Sequence, residues 1–306
     1  MKEKRIVSFL PSATELIYEL GAKDRLHGVT HECDYPIDAK NKPRVIESVF
    51  DPENMSSKEI DEKICFLSEK GEDIYKLVQK NLKSAKPDLI ISQEICEVCS
   101  AYTNQVKKAL DILDDKPEIY SMSPHDIQGI LQSVKDISKI IGEVENGERL
   151  ISELSSRINN VKEKQYNKKP KVLGIEWLNP FFTAGHWVPD MIECAGGVNL
   201  ITKSGEHSRK MEIDEIENAD PDVIVLMPCG FGVERTVSEY EKYLKDDSRW
   251  NKLRAVVENR VFVVNANSFF SKPSIRVFTG IEILGKILHP EIFSELEVPS
   301  NSFLKI

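Results

Sequence analysis

Two rhythms of hydrophobic and polar positions alternate along this chain. Short apolar runs bounded by turn residues read as strands, and stretches with apolar positions three and four apart read as helices. RIVSFL (5–10) is the first strand. It runs through Pro11 into SATELIYELG, a predicted helix with Ser12 and Glu15 spaced as a capping box and Gly21 at its end. HGVT is the second strand and closes on HECDYP. After a loop, SSKEIDEKICFL and EDIYKLVQKNLKSA carry helical spacing up to Pro87. DLIISQ (88–93) is again a strand, NQVKKALDIL a helix, and EIYSM (118–122) the last strand of this half.

From Ser123 onward the helical rhythm takes over. SPHDIQGILQSVKDISKIIG places Ile127, Ile130, Leu131, Val134, Ile137, Ile140 and Ile141 on one stripe, with Ser123 as the expected N-cap and Pro124 in the first turn. ENGERLISELSSRINNVKEKQ follows as a second helical stretch and ends before Pro170. The strand–helix alternation then resumes with KVLGIE (171–176), a helix over 187–195 closed by Gly196 and Gly197, strands DVIVLMP (222–228) and RVFVVN (260–265), and the amphipathic IRVFTGIEILGKIL. The pattern predicts an α/β protein of two parallel-sheet lobes, 1–123 and 170–306, joined by a long helical connection over 124–169.

Composition narrows this picture. The 306 residues are 41% hydrophobic and 30% charged, enough apolar material for packed cores and too much for long disorder. The formal net charge of −9 is spread over the helices, which argues against nucleic acid or an anionic membrane as the main partner. The apolar stretch before Pro11 is shorter than a signal-peptide core, so the expected location is cytoplasmic, with the six cysteines reduced.

Ligands of open α/β sheets bind beyond the carboxyl ends of the strands, and this rule selects candidate residues. Pro11 and Ser12 follow the first strand; His31, Glu32 and Cys33 follow HGVT; Gln93, Cys96 and Cys99 follow DLIIS. In the second half Glu176 and Trp177 follow KVLGI, Cys229 and Gly230 follow DVIVLMP, and Asn267 and Phe269 follow VFVV. Trp177 and Trp187 flank the NPFFTAGH turn and are expected to offer flat apolar faces to a ligand, His186 or His31 an axial nitrogen, and Arg276 a countercharge. Cys33, Cys96, Cys99 and Cys229 together suit zinc, copper(I) or an iron–sulfur cluster, with a redox pair in CEVC as the weaker reading. Cys65 and Cys194 fall inside helical patterns and are expected to be small core residues. Ser12 and Ser92 lack a nucleophile-elbow pattern, no phosphate loop occurs, and GEHSRK (205–210) reads as a solvated edge.

RIVSFLPSATELIYELG, THECDYP, EWLNPFFTAGHWVPDMIECAGGVNLI and NSFFSKPSIRVFTGIEIL resemble the substrate-binding proteins of cobalamin and iron-chelate ABC importers, the cobalamin-binding (BtuF-like) group in particular. The resemblance covers nearly the whole chain. It implies two α/β lobes joined by one long rigid helix, a small-molecule metal chelate such as cobalamin or another corrinoid held between them without turnover, and a membrane transporter as partner. HEC, CEVC and PCGF set this chain apart and make it similar to a cytoplasmic branch of that family. The second function class open at this point is a metalloprotein or enzyme with a Cys-ligated zinc or iron–sulfur centre acting on a small substrate.

Overall fold

The computed structural model describes residues 3–93 and 103–306, and these group into two compact units. The first comprises Met1–Met55, Glu62–Pro124 and Gln128–Ser152; the second comprises Ser56–Asp61, His125–Ile127 and Glu153–Ile306. In chain order the elements up to Lys162 are β1 (Ile6–Ser8), α1 (Pro11–Glu19), β2 (Leu26–Thr30), β3 (Arg44–Ser48), α2 (Ser57–Glu69), β4 (Tyr75–Leu77), α3 (Gln79–Ala85), β5 (Leu89–Gln93), α4 (Thr103–Ile112), β6 (Glu118–Met122), α5 (Ile127–Ile141) and α6 (Val144–Lys162). The rest are β7 (Lys171–Leu178), β8 (Phe181–Thr183), α7 (Val188–Cys194), β9 (Val198–Asn199), α8 (Ile213–Ala219), β10 (Val223–Leu226), α9 (Val233–Tyr243), α10 (Arg254–Val257), β11 (Val261–Val264), α11 (Ala266–Phe269), α12 (Val277–Leu288) and β12 (Phe303–Lys305). No described helix is long and apolar enough to cross a membrane.

Each unit is an α/β lobe around one sheet. The first sheet runs β4-β3-β2-β1-β5-β6, and the second runs β12-β11-β10-β7-β8 with β9 beside β7. The central strands are parallel, and β5 and β10 are buried along their whole length. That is why LIISQ and VIVL read as unbroken runs rather than as alternations. The edges depart from the expected all-parallel sheets: β4, β8 and β12 are antiparallel, so both sheets are mixed. β4 lies within a segment whose spacing predicts a helix. Tyr75, Lys76 and Leu77 instead pair with Ser48, Glu47 and Ile46, burying Tyr75 and setting Lys76 Nζ 3.3 Å from Glu47 across the strands. Three residues of a β-period are too short to outweigh a helical rhythm in the sequence, but they suffice to finish a sheet edge.

Two helix starts also differ from expectation. Pro11 occupies the first helical position of α1, with Leu10 as N-cap and no side-chain cap. Proline's fixed φ suits that position, so the helix begins one residue before Ser12, and the expected capping box does not form. At α5 the first helical residue is Ile127, beyond Ser123, and its amide donates to Asp190 Oδ2 at 3.2 Å. A carboxylate distant in sequence thus takes the place of the local serine. α5 and α6 are separate helices, parted at Gly142, whose φ of +79° is left-handed. Cys65 is exposed, not a core residue: its position on α2 falls outside the buried stripe that holds Ile60 and Leu67.

Candidate functional site

The chain's order along each sheet reverses once, and the reversals lie between β1 and β5 in the first sheet and between β7 and β10 in the second. Such switch points open a crevice at the strand carboxyl ends. Residues at the two ends are described in turn.

In the first unit Ser12 is buried in α1 and Gln93 is buried at the end of β5. His31 and Glu32 are half-buried, with the His31 ring 5.6 Å from that of Tyr75. Cys33 has no exposed surface. Thr14 Oγ1 donates to its sulfur at 3.1 Å, Thr30 Oγ1 stands 3.2 Å from it, and Arg44 Nη1 donates to its carbonyl at 2.9 Å. Cys96 and Cys99 lie outside the described residues. Among the described residues no group of three or more His, Cys, Asp or Glu is arranged to hold a metal ion. Ser92 Oγ lies 3.1 Å from Ser121 Oγ and belongs to the sheet rather than to a catalytic arrangement.

The second unit gathers more of the candidates. The Cys229 amide donates to the Glu176 carbonyl at 3.0 Å, which joins the ends of β10 and β7. Gly230, at φ +78°, donates its amide to Ser271 Oγ at 3.1 Å, and the Asn267 amide donates to Phe231 O at 3.0 Å. These bonds draw the ends of β7, β10 and β11 into one rim. Trp177 packs against Phe231 with ring centres 5.4 Å apart, and its indole N–H donates to Ser57 O at 3.2 Å. Arg235 lies over the Phe231 ring at 3.7 Å, and Arg276 stands 6.0 Å from the Phe269 ring. Trp187, expected as an open face, is 5% exposed, and its N–H donates to Phe270 O at 2.9 Å. Trp177 and Phe269 are half-buried, while Trp187 lies stacked under His186 with ring centres 5.6 Å apart. All three tryptophans of the chain, Trp177, Trp187 and Trp250, belong to this unit.

Glu176 is the ionisable centre of the rim. Its carboxylate accepts the Ser208 hydroxyl at 2.6 Å and the Gly185 amide at 3.3 Å. Burial pushes this carboxyl above its usual range, and the two donors oppose that shift. Beside it the His186 imidazole is lowered to about 4, by burial first and then by His207 and His125. In both groups burial is the largest influence, and it disfavours the charged form. A rim of aromatic faces, neutral imidazole and hydrogen-bonding groups suits a flat, largely apolar ligand with a polar border.

Some residues of this region escape sequence reasoning. His125 and His207 are drawn to His186, with ring centres 6.2 and 5.0 Å away. GEHSRK, which reads as a solvated edge, is exposed at Glu206 and His207, but it turns Ser208 inward to Glu176. The signal for this is Gly185. A Cβ there would lie 2.5 Å from Ser208 N and 2.7 Å from Glu206 O, so the glycine of TAGH admits another backbone. Glu239 is a buried carboxylate that accepts from both the amide and the hydroxyl of Ser57 at the start of α2, a contact without any sequence signature.

Comparison with known proteins fits this geometry. The periplasmic binding protein family matches residues 6–267. The chain is 22% identical to a vitamin B12-binding protein of Vibrio campbellii, over 91% of this chain and 86% of the relative. It is 24% identical to an ABC transporter substrate-binding lipoprotein, YvrC, of Bacillus subtilis, over 95% and 82%. Among solved structures, the vitamin B12-binding protein BtuF of Vibrio cholerae superposes with a TM-score of 0.66 at 20% identity, covering 96% of this chain and 99% of that one. Staphylococcus aureus IsdE complexed with heme gives 0.70 at 18% identity, covering 94% and 99%.

Proposed function

Because the chain belongs to the periplasmic binding protein family, we propose that it binds a planar metal chelate of the corrinoid or tetrapyrrole class, with a corrinoid such as cobalamin as the first candidate. The observation that carries this reading is the rim of the second unit. There half-buried Trp177 and Phe269 stand at the end of β7 and just beyond β11, and the same unit holds Glu176 and His186, two groups whose charged forms burial disfavours. A macrocycle is a large apolar disc edged with amides or carboxylates, and such a disc gains most from aromatic contact with a few polar groups at its border. Relatives that are named for vitamin B12 and heme bind ligands of that shape. Relatives named as transporter components make an ABC importer the partner that this reading carries.

The test is spectroscopic. The purified chain is mixed with aquocobalamin and, separately, with hemin, then desalted. Retained corrinoid bands in a 1:1 ratio support the proposal in its finer form, and retained hemin alone supports the broader chelate class. Loss of both chromophores on desalting, with no change in either spectrum during titration, would sink it. The Trp177→Ala variant is expected to weaken retention by about tenfold, the equivalent of ~1.4 kcal/mol of lost aromatic contact.

A further inference from the structure

Three of the four histidines of the second unit stand in a triangle. Ring centres are 5.0 Å apart for His186 and His207, 5.8 Å for His125 and His207, and 6.2 Å for His125 and His186. They come from three separate segments, SPHD, TAGH and GEHS, so helical or strand periodicity does not account for their meeting. We propose that His125, His186 and His207 form a binding site for a bare divalent transition-metal ion of the zinc, nickel or cobalt kind.

The distances carry the argument. An ion bonded to an imidazole nitrogen at 2.0–2.1 Å stands about 3.2 Å from the centre of that ring. In the triangle formed by these three rings, the point equidistant from the corners lies about 3.3 Å from each. The rings are thus already spaced as a shared ion would space them. Their nitrogens are not yet aimed at that point, as the absence of a ready-made metal cluster among the described residues shows. Rotation about χ2 turns the nitrogens without displacing the rings, because the Cβ–Cγ axis passes through the ring centre. That torsion is also soft for histidine.

Two further observations point the same way. His186 Nδ1 is buried and meets no hydrogen-bond partner. A buried ring nitrogen in that condition costs free energy that coordination would recover. The backbone holding the site is fixed in advance. The His186 amide donates to Glu206 O, the Gly205 amide returns a bond to His186 O at 3.0 Å, and Gly185 admits the 206–208 backbone. Glu176 accepts from the amide of Gly185 and the hydroxyl of Ser208, the residues adjoining two of the three histidines, and so ties together the two segments that carry them. His207 is exposed, which gives an ion its way in. A ligand set of imidazoles selects zinc, nickel, copper or cobalt over magnesium and calcium. This site goes beyond chelate binding: it takes an ion without a macrocycle and does not depend on the chelate reading.

The experiment is a Co2+ titration of the full chain, free of any polyhistidine tag, read by visible d–d absorption. The expected result is saturable 1:1 binding without intense thiolate-to-cobalt absorption in the near ultraviolet. His207→Gln, at an exposed position that leaves the fold alone, and His125→Gln are each expected to weaken the Co2+ dissociation constant at least tenfold. Absence of saturable binding, a thiolate charge-transfer band, or unchanged affinity in both variants would overturn the proposal. Cobalamin retention by His207→Gln is measured in parallel. It is expected to match that of the unaltered chain, so failure of the ion site and failure of the chelate reading are told apart.

Discussion

The carboxyl ends of the two sheets obey the same topological rule but differ in what they leave there. At the first, Cys33 and Ser12 are sealed in, and the sulfur faces two threonine hydroxyls with an arginine on its carbonyl. At the second, Glu176 and His186 are held where their charged forms are disfavoured, one pushed up and the other down to about 4. Among the described residues of the first end, Cys33 and Ser12 are packed into the interior. The second stores electrostatic cost at a rim, a distribution usual at sites that bind or react. Strand-end position alone therefore does not make a site; the local balance of burial and partners decides.

That contrast can be broken most severely at Gly185. The Gly185→Ala methyl would meet three backbone atoms of the 206–208 segment within 3 Å, so the second unit is expected to lose about 3 kcal/mol in urea unfolding followed by indole fluorescence. Next comes the charge on His186. Its folded-state value of about 4 lies below the ordinary 6.5. Between those pH values the unfolded chain takes up a proton that the folded chain refuses, so stability is full above the window and falls as pH drops through it. The ring is only partly buried, and after allowance for solvent screening the loss is about 2 kcal/mol. It is read as the difference in unfolding free energy between pH 7 and pH 4, and the His186→Gln variant is expected to flatten that slope. Gly230→Ala is a milder change: φ is +78° but no atom lies within 4 Å, leaving only the backbone preference of about 1 kcal/mol. At the first end, Thr14→Val removes one hydroxyl from the Cys33 sulfur and is expected to cost about 0.5 kcal/mol in urea unfolding.

Much of the architecture was legible because it rests on long, strong patterns. VIVL, LIISQ and the stripe of α12 admit few readings, and the strand–helix alternation places the strand carboxyl ends without coordinates. The edges were not legible. β4 hides in a helical spacing, and β8 and β9 are short pairings that exist only because β7 is there to receive them. Glu176, Trp177, Cys229 and Gly230 were expected from strand-end position alone, and a backbone bond from Cys229 to Glu176 ties the ends of β10 and β7. His125 and His207 could not be found that way, since polar loop residues carry no periodicity. Their meeting depends on a glycine whose need is steric rather than local. The serine caps expected at α1 and α5 failed for a related reason: a proline and a carboxylate distant in sequence answered the same demand first.

The crowding of every indole into the second unit has a practical consequence. Tryptophan emission from this protein is a private channel, silent about the first unit and responsive only to the other. Metal macrocycles absorb in the near-ultraviolet region where indoles emit, so a bound one would drain that emission by resonance energy transfer, most strongly from Trp177 at the rim. The chain thus carries its own optical gauge of occupancy, and quenching without unfolding would report a ligand before any dye or label is attached.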